Sequence, residues 1–159
     1  MKKSYLQYFL GALLVVPIIG CNSMQTTIAP KYQHKSIEVS SIGLAGAGSS
    51  SAFSAFIKHG YKVKELGSGE NGVIEKAQEK GIPFVAIINP VGTEGSSWDG
   101  VFDYSMRVIH TNSEDVVWSA IAEYGDGILI DQVGSTKKAF DEMIGNFKKS
   151  FPPANSTKN

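Results

Sequence analysis

Cys21 is the one thiol in this 159-residue chain, and it stands at the end of an export-like segment. Lys2 and Lys3 supply a positive start, and the stretch from Tyr8 to Ile19 is apolar and carries Pro17. That stretch is too short to cross a bilayer, which takes ~20 apolar residues. It has the length of a secretory h-region. Ile18-Ile19-Gly20 then lead directly into Cys21. The small Gly20 leaves room for a peptidase, and the thiol that follows is a nucleophile able to take up a lipid. The competing reading is an ordinary buried cysteine at the end of a signal anchor.

Other groupings suggest other chemistry. Gly43-Leu44-Ala45-Gly46-Ala47-Gly48-Ser49 could sit between a strand and a helix, where backbone N–H groups cradle phosphate. Its spacing is G-x-x-G-x-G rather than G-x-G-x-x-G, and no lysine follows Ser49-Ser50-Ser51. The plainer reading is a turn whose glycines allow tight strand-to-helix packing, with serines capping the helix. His34, His59 and His110 are scattered, none with a second His or Cys at metal spacing, so no metal or cofactor is expected. No G-x-S-x-G elbow or S-x-x-K occurs. Asp99, Asp103 and Arg107 share a strand face with Ser105, but residues four apart on a strand lie ~13 Å from each other, too far for paired-carboxylate catalysis. The expectation is a protein that is not an enzyme. Trp98, in the glycine-rich run Gly95–Gly100, is the candidate partner-binding residue, because an exposed loop indole makes a good interface anchor. Its alternative is an indole folded back over the core edge.

The run Ile18-Ile19-Gly20-Cys21 resembles the lipobox of bacterial lipoproteins, in which the cysteine is acylated and becomes the first residue of the mature chain. Asn22, rather than aspartate, follows it. By resemblance to enterobacterial sorting this implies the outer membrane, with the protein facing the periplasm. Loss of residues 1–20 removes two lysines and no acids from a chain with 15 basic and 15 acidic residues, leaving a net charge near −2. That balance offers no footprint for nucleic acid. With Cys21 acylated no thiol remains for a disulfide, so stability must come from the core.

The elements that would carry these residues follow from patterning. Residues 21–35 are polar and aperiodic with Pro30, and read as an acylated cysteine and tether reaching at most roughly 50 Å. Residues 36–151 form one α/β domain with the order β-α-β-α-β-β-β-α. Its first strand is expected over Ile37–Leu44, then a helix with Ala52, Phe53, Phe56 and Ile57 recurring to Gly60. A strand over Tyr61–Leu66 and a helix over Glu70–Lys80 follow. The apolar run Pro83–Val91 marks a central strand. Phe102, Tyr104, Met106 and Val108 alternate, and so do Val116, Trp118, Ala120, Ala122 and Tyr124, which predicts a long antiparallel hairpin. The closing helix, Ser135–Ser150, has the stripe Ala139/Phe140, Met143/Ile144, Phe147 and Phe151. Residues 152–159 are expected as a disordered tail.

This order, with the hairpin DYSMRVIHTNSEDVVWSA, resembles the CsgG/LpoB/TolB-amino-terminal group of envelope domains. Their hairpin pattern, aliphatic-x-aliphatic-Asp-x-x-Thr-Gly-x-aliphatic-aliphatic-Trp, has its counterpart in Val108–Trp118, with Asn112-Ser113 replacing the Thr-Gly turn. The resemblance implies a mixed sheet with packed helices. It also implies a structural or regulatory envelope role: an accessory, assembly or regulatory factor docked on another envelope protein or on itself. A small-ligand or lipid carrier is the alternative.

Overall fold

The computed structural model describes residues 23–91, 103–123 and 132–154. They form a mixed α+β domain: one six-stranded sheet with helices on it. The strands are β1 (Ser23–Ile28), β2 (Ile42–Ala45), β3 (Val63–Gly67), β4 (Phe84–Val91), β5 (Asp103–His110) and β6 (Val116–Glu123). The helices are α1 (Ser49–Lys58), α2 (Val73–Glu79) and α3 (Gln132–Ser150). From β2 onward this is the expected β-α-β-α-β-β-β-α order. The sheet order is β1-β6-β5-β4-β2-β3, with β3, β2 and β4 parallel and β4, β5, β6 and β1 antiparallel.

Two helices cover one face of this sheet. The α3 stripe Ala139, Phe140, Met143, Ile144 and Phe147, with Phe151 just beyond it, is fully buried there. It meets Phe56 of α1 and the inward residues Ile42, Leu44, Ala86, Ile88, Met106, Val108 and Trp118. Phe147 lies edge-on to Trp118 and to Phe56, and stacks on Phe151 at a 10° interplanar angle. On the opposite face α2 seats Val73 and Ala77 against Ala45, Leu66, Val85 and Ile87. β4 is buried on both faces, as its unbroken apolar run requires.

Several elements differ from the sequence expectation. Residues 23–28, read as tether, are instead an edge strand paired along its whole length with β6, from Ser23–Glu123 to Ile28–Trp118. Thr26, Thr27 and Ile28 suit extended backbone, and the edge of β6 supplies the partner that local sequence cannot announce. Pro30–Tyr32 forms a short 3₁₀ turn that buries the Tyr32 ring. The strand expected at Ile37 begins at Ile42, because residues 37–39 bond to the end of α3 and the segment after it. Ile37 N–H donates to the Ser150 carbonyl and Val39 N–H to that of Pro152. Ala154 N–H returns to the Val39 carbonyl, so Pro152–Ala154 are packed rather than a free tail. The strand expected from Tyr61 begins at Val63, and Tyr61 turns inward, its hydroxyl donating to the Phe151 carbonyl at 2.7 Å. Burial pushes that phenol well above its ordinary pKa.

The hairpin is present with one change. The register slips between Val108 and Ile109, so that Val108 faces Trp118 and Ile109 faces Val116. This bulge turns Val117 into the core and leaves Val116 46% exposed. Trp118 is 1% exposed, on the same inward face as Ala120 and Ala122.

Candidate functional site

Ile18, Ile19, Gly20 and Cys21 lie outside the described residues, and so does Trp98. What the structure gives is where their neighbours leave the fold. Ser23, the first residue of β1, pairs with Glu123, the last of β6. Val91, the last of β4, pairs with Asp103, the first of β5. All four therefore lie at one end of the sheet, and the stretch of sequence that contains Trp98 joins two of them. The other end carries the hairpin turn, where His110 N–H bonds to the Asp115 carbonyl and Glu114 adopts a left-handed φ of 56°.

The glycine-rich loop lies at the first of these ends, between β2 and α1, as its sequence suggested. Three of its N–H groups are already committed. Gly48 N–H donates to the Ile88 carbonyl at 2.9 Å, Ala47 N–H to Asn89 Oδ1 at 3.3 Å, and Ser49 N–H to the Gly46 carbonyl at 3.2 Å. The glycines serve close approach. Gly46 has φ +90°, and a Cβ there would stand 2.3 Å from the Ile88 carbonyl oxygen. At Gly48 a Cβ would stand 2.7 Å from the Ile88 side chain. Gly48 is also the helix N-cap, and no side chain caps α1. The expected serine cap is absent because the backbone presses on β4 at the position a capping side chain would occupy.

Asp103, Ser105 and Arg107 do share the sheet face away from α1 and α3, alternating with the inward Tyr104, Met106 and Val108. Sequence reasoning missed what Arg107 meets there. Its guanidinium pairs with the Glu70 carboxylate, which also accepts from Asn89 Nδ2. Ser105 donates to the Asn89 carbonyl at 3.4 Å. One network thus ties the loop before α2, the centre of the sheet and the glycine-rich turn together. Glu70 and Asn89 are distant from Arg107 in sequence, and no local pattern links them. The groups point at each other rather than at an open space, which makes the network a brace. Beside it the outward residues of β6 and β1 form an open surface: Ile121 is 41% exposed, Gln25 and Thr27 are exposed, and no described helix covers them.

The histidines remain apart. His110 contacts Ser113 at 3.1 Å and lies edge-on to Phe84, while His59 Nε2 sits 3.6 Å from Asp141 Oδ1 at the α1–α3 seam. Lys58 donates to the other oxygen of Asp141 at 2.6 Å and holds that carboxyl below the usual carboxylate range. Lys31 does the same for Asp115 at the far end of the sheet. Among the described residues no three His, Cys, Asp or Glu side chains are placed to hold a metal ion. A shallow groove of about 170 Å³ runs between α1 and α3 beside Ser51, Ser54, Lys58, Lys137 and Asp141. No described helix is long and apolar enough to cross a membrane.

No protein-family model matches the chain, and no curated protein matches it by sequence. Solved structures do match in fold. A PelC dodecamer from Paraburkholderia phytofirmans aligns at 12% identity over 77% of this chain and 94% of its own, with a TM-score of 0.59. A point variant of the same dodecamer aligns over 77% and 96% with a TM-score of 0.58 at the same identity. Lipoprotein GNA1162 from Neisseria meningitidis covers 67% and 99% at 14% identity, with a TM-score of 0.36, too low to establish a common fold. The described domain therefore has a fold shared with PelC.

Proposed function

We propose that this chain is a bacterial envelope lipoprotein, held through lipid on Cys21 to the outer membrane and facing the periplasm. It serves as a non-enzymatic accessory or assembly factor that docks on another envelope protein or on copies of itself. The observation that carries this reading is the placement of β1. The strand begins two residues after Cys21 and is bonded to β6 throughout, so a lipid on that cysteine would anchor the folded domain itself. Membership of the CsgG/LpoB-like group is part of the proposal, resting on the hairpin pattern and the closing helix.

Further features support it. The N–H groups of Ala47, Gly48 and Ser49 are used inside the protein, which counts against the sequence feature nearest to a nucleotide site. A carrier would need room between helices and sheet, and Trp118, Phe56, Phe140 and Phe147 fill that space, each under 2% exposed. The shared fold with a dodecameric protein makes self-association the first docking mode to test.

The test is crosslinking of the acylated protein in its membrane, followed by mass spectrometry of what copurifies, with Cys21→Ala as the control. Self-crosslinks or a reproducible envelope partner, lost in the control, support the reading. A chain that carries no lipid and crosslinks to nothing at equal abundance overturns it. Trp98→Ala should weaken capture while leaving the far-UV spectrum unchanged, and unchanged capture removes that loop as the anchor.

A further inference from the structure

The same placement of β1 fixes how the domain can meet the membrane. Cys21 and Ser23 are two residue steps apart, at most about 7 Å even when fully extended. Ser23 is already in register with Glu123, so no hinge of useful length separates the anchor from the sheet. The strands then run away from that point. β4, β5 and β6 each have eight residues, which carries the hairpin turn roughly 25 Å from the end at which β1 starts.

We infer that the domain stands on the lipid surface by this end of its sheet, with the His110–Asp115 turn pointing into the periplasm. The inference rests on the proposed lipidation of Cys21. The occupant of the surface is the bilayer from which the anchor comes. The described residues at this end are small or neutral for the most part: Gln25 on β1, Ala47 and Ser50 at the glycine-rich turn, and Pro90 and Val91 at the end of β4, with Val91 38% exposed. The formally charged residue types in the described strands here are the acids Asp103 and Glu123. The described strands here offer no basic side chain to anionic headgroups, and the nearby Lys137 stands at the α1–α3 groove beside Ser51, so the short covalent link holds the end in place and salt should not release it. At the opposite end Lys31, Glu114 and Asp115 are charged and exposed or half-exposed, as suits a surface that faces water.

The experiment uses the full, lipidated chain in phosphatidylcholine vesicles carrying a headgroup nitroxide lipid as quencher. Intact mass first reports whether residues 1–20 are gone and acyl chains are present on Cys21. A chain without acyl chains means that the underlying functional reading has failed, and the orientation falls with it. Acylation makes Cys21 unavailable to thiol dyes, so single cysteines introduced as Gln25→Cys, Ser50→Cys and Ser113→Cys can each take one fluorophore. Quenching several-fold stronger at Gln25 and Ser50 than at Ser113, unchanged by added salt, is the expected result. On an acylated chain, equal quenching at all three positions, or stronger quenching at Ser113, overturns the orientation while leaving the anchor intact. A flexible Gly/Ser insert of about 20 residues after Asn22, with an r.m.s. reach of about 25 Å, should flatten the gradient. A gradient that survives the insert overturns the short link as its cause.

Discussion

Single residues carry much of the connection between sequence and packing here. The loop glycines read in the sequence as a turn for tight strand-to-helix packing, in preference to a phosphate cradle, and the structure uses them for clearance. With φ +90° and a carbonyl oxygen 2.3 Å from where a Cβ would stand, Gly46→Ala should cost about 1–3 kcal/mol, measured by urea unfolding of a soluble Cys21→Ser form. Asp141 offers a pH-dependent counterpart. Lys58 keeps its carboxyl pKa below the unfolded-state value, so the pair adds stability above that value, about 3.9. The stability is lost as pH falls through the lower folded pKa. Asp141 is partly solvated, its side chain 26% exposed, which limits the pair to ~0.5–1 kcal/mol. Asp141→Asn should therefore melt lower than the parent at pH 7. The difference should close once the pH has fallen below the lowered folded-state pKa, and a pH-independent gap would mean that the ion pair is not its source.

At the scale of elements the piece that stands out is β1. Its N–H groups alternate between β6 and solvent. Ala29 N–H reaches the Val117 carbonyl, and the unbroken register then directs the N–H groups of Thr27 and Gln25 toward β6 and that of Thr26 away from it. Thr27→Pro removes a ladder hydrogen bond and Thr26→Pro does not, so the first should lower the melting temperature clearly more. Equal effects would show that β1 contributes little to the fold. The hairpin, β4 and α3 were legible from periodicity alone, since each repeats its apolar residues at one spacing over many positions. β1 was not, because SMQTTI has only Met24 and Ile28 as large apolar residues and both are partly buried. The bulge at Val117 was hidden for a related reason. Val116 and Val117 are chemically alike, and only the pairing with β5 selects which one turns inward.

For the molecule as a whole, one aromatic cluster joins both covering helices to the sheet. Phe147 touches Phe56, Tyr61, Trp118 and Phe151. Phe147→Ala should cost ~3–5 kcal/mol, a large share of the roughly 5–15 kcal/mol typical of a domain, and should lower all structural probes together. Loss of α3 alone, with the hairpin intact, would count against a single cooperative unit. The segment after α3 adds to that unit: Pro152–Ala154 pair with the residues before β2, so truncation after Phe151 should loosen the start of β2 as well.

The order of the elements from β2 onward, the core stripe of α3 and the candidacy of Cys21 for lipid can all be read without coordinates. Periodicity and a short motif are local properties, and local properties survive in one dimension. Folding in three dimensions makes residues 23–28 a strand and not a tether. It also spends the glycine-rich N–H groups on Ile88 and Asn89, and brings Glu70, Asn89 and Arg107 together. Each of these depends on a partner far along the chain: an open strand edge, a neighbouring carbonyl, an opposite charge. The pairing of Ser23 with Glu123 joins residues far apart in the chain at one sheet edge, and from it follows the shortness of the stretch between Cys21 and the fold.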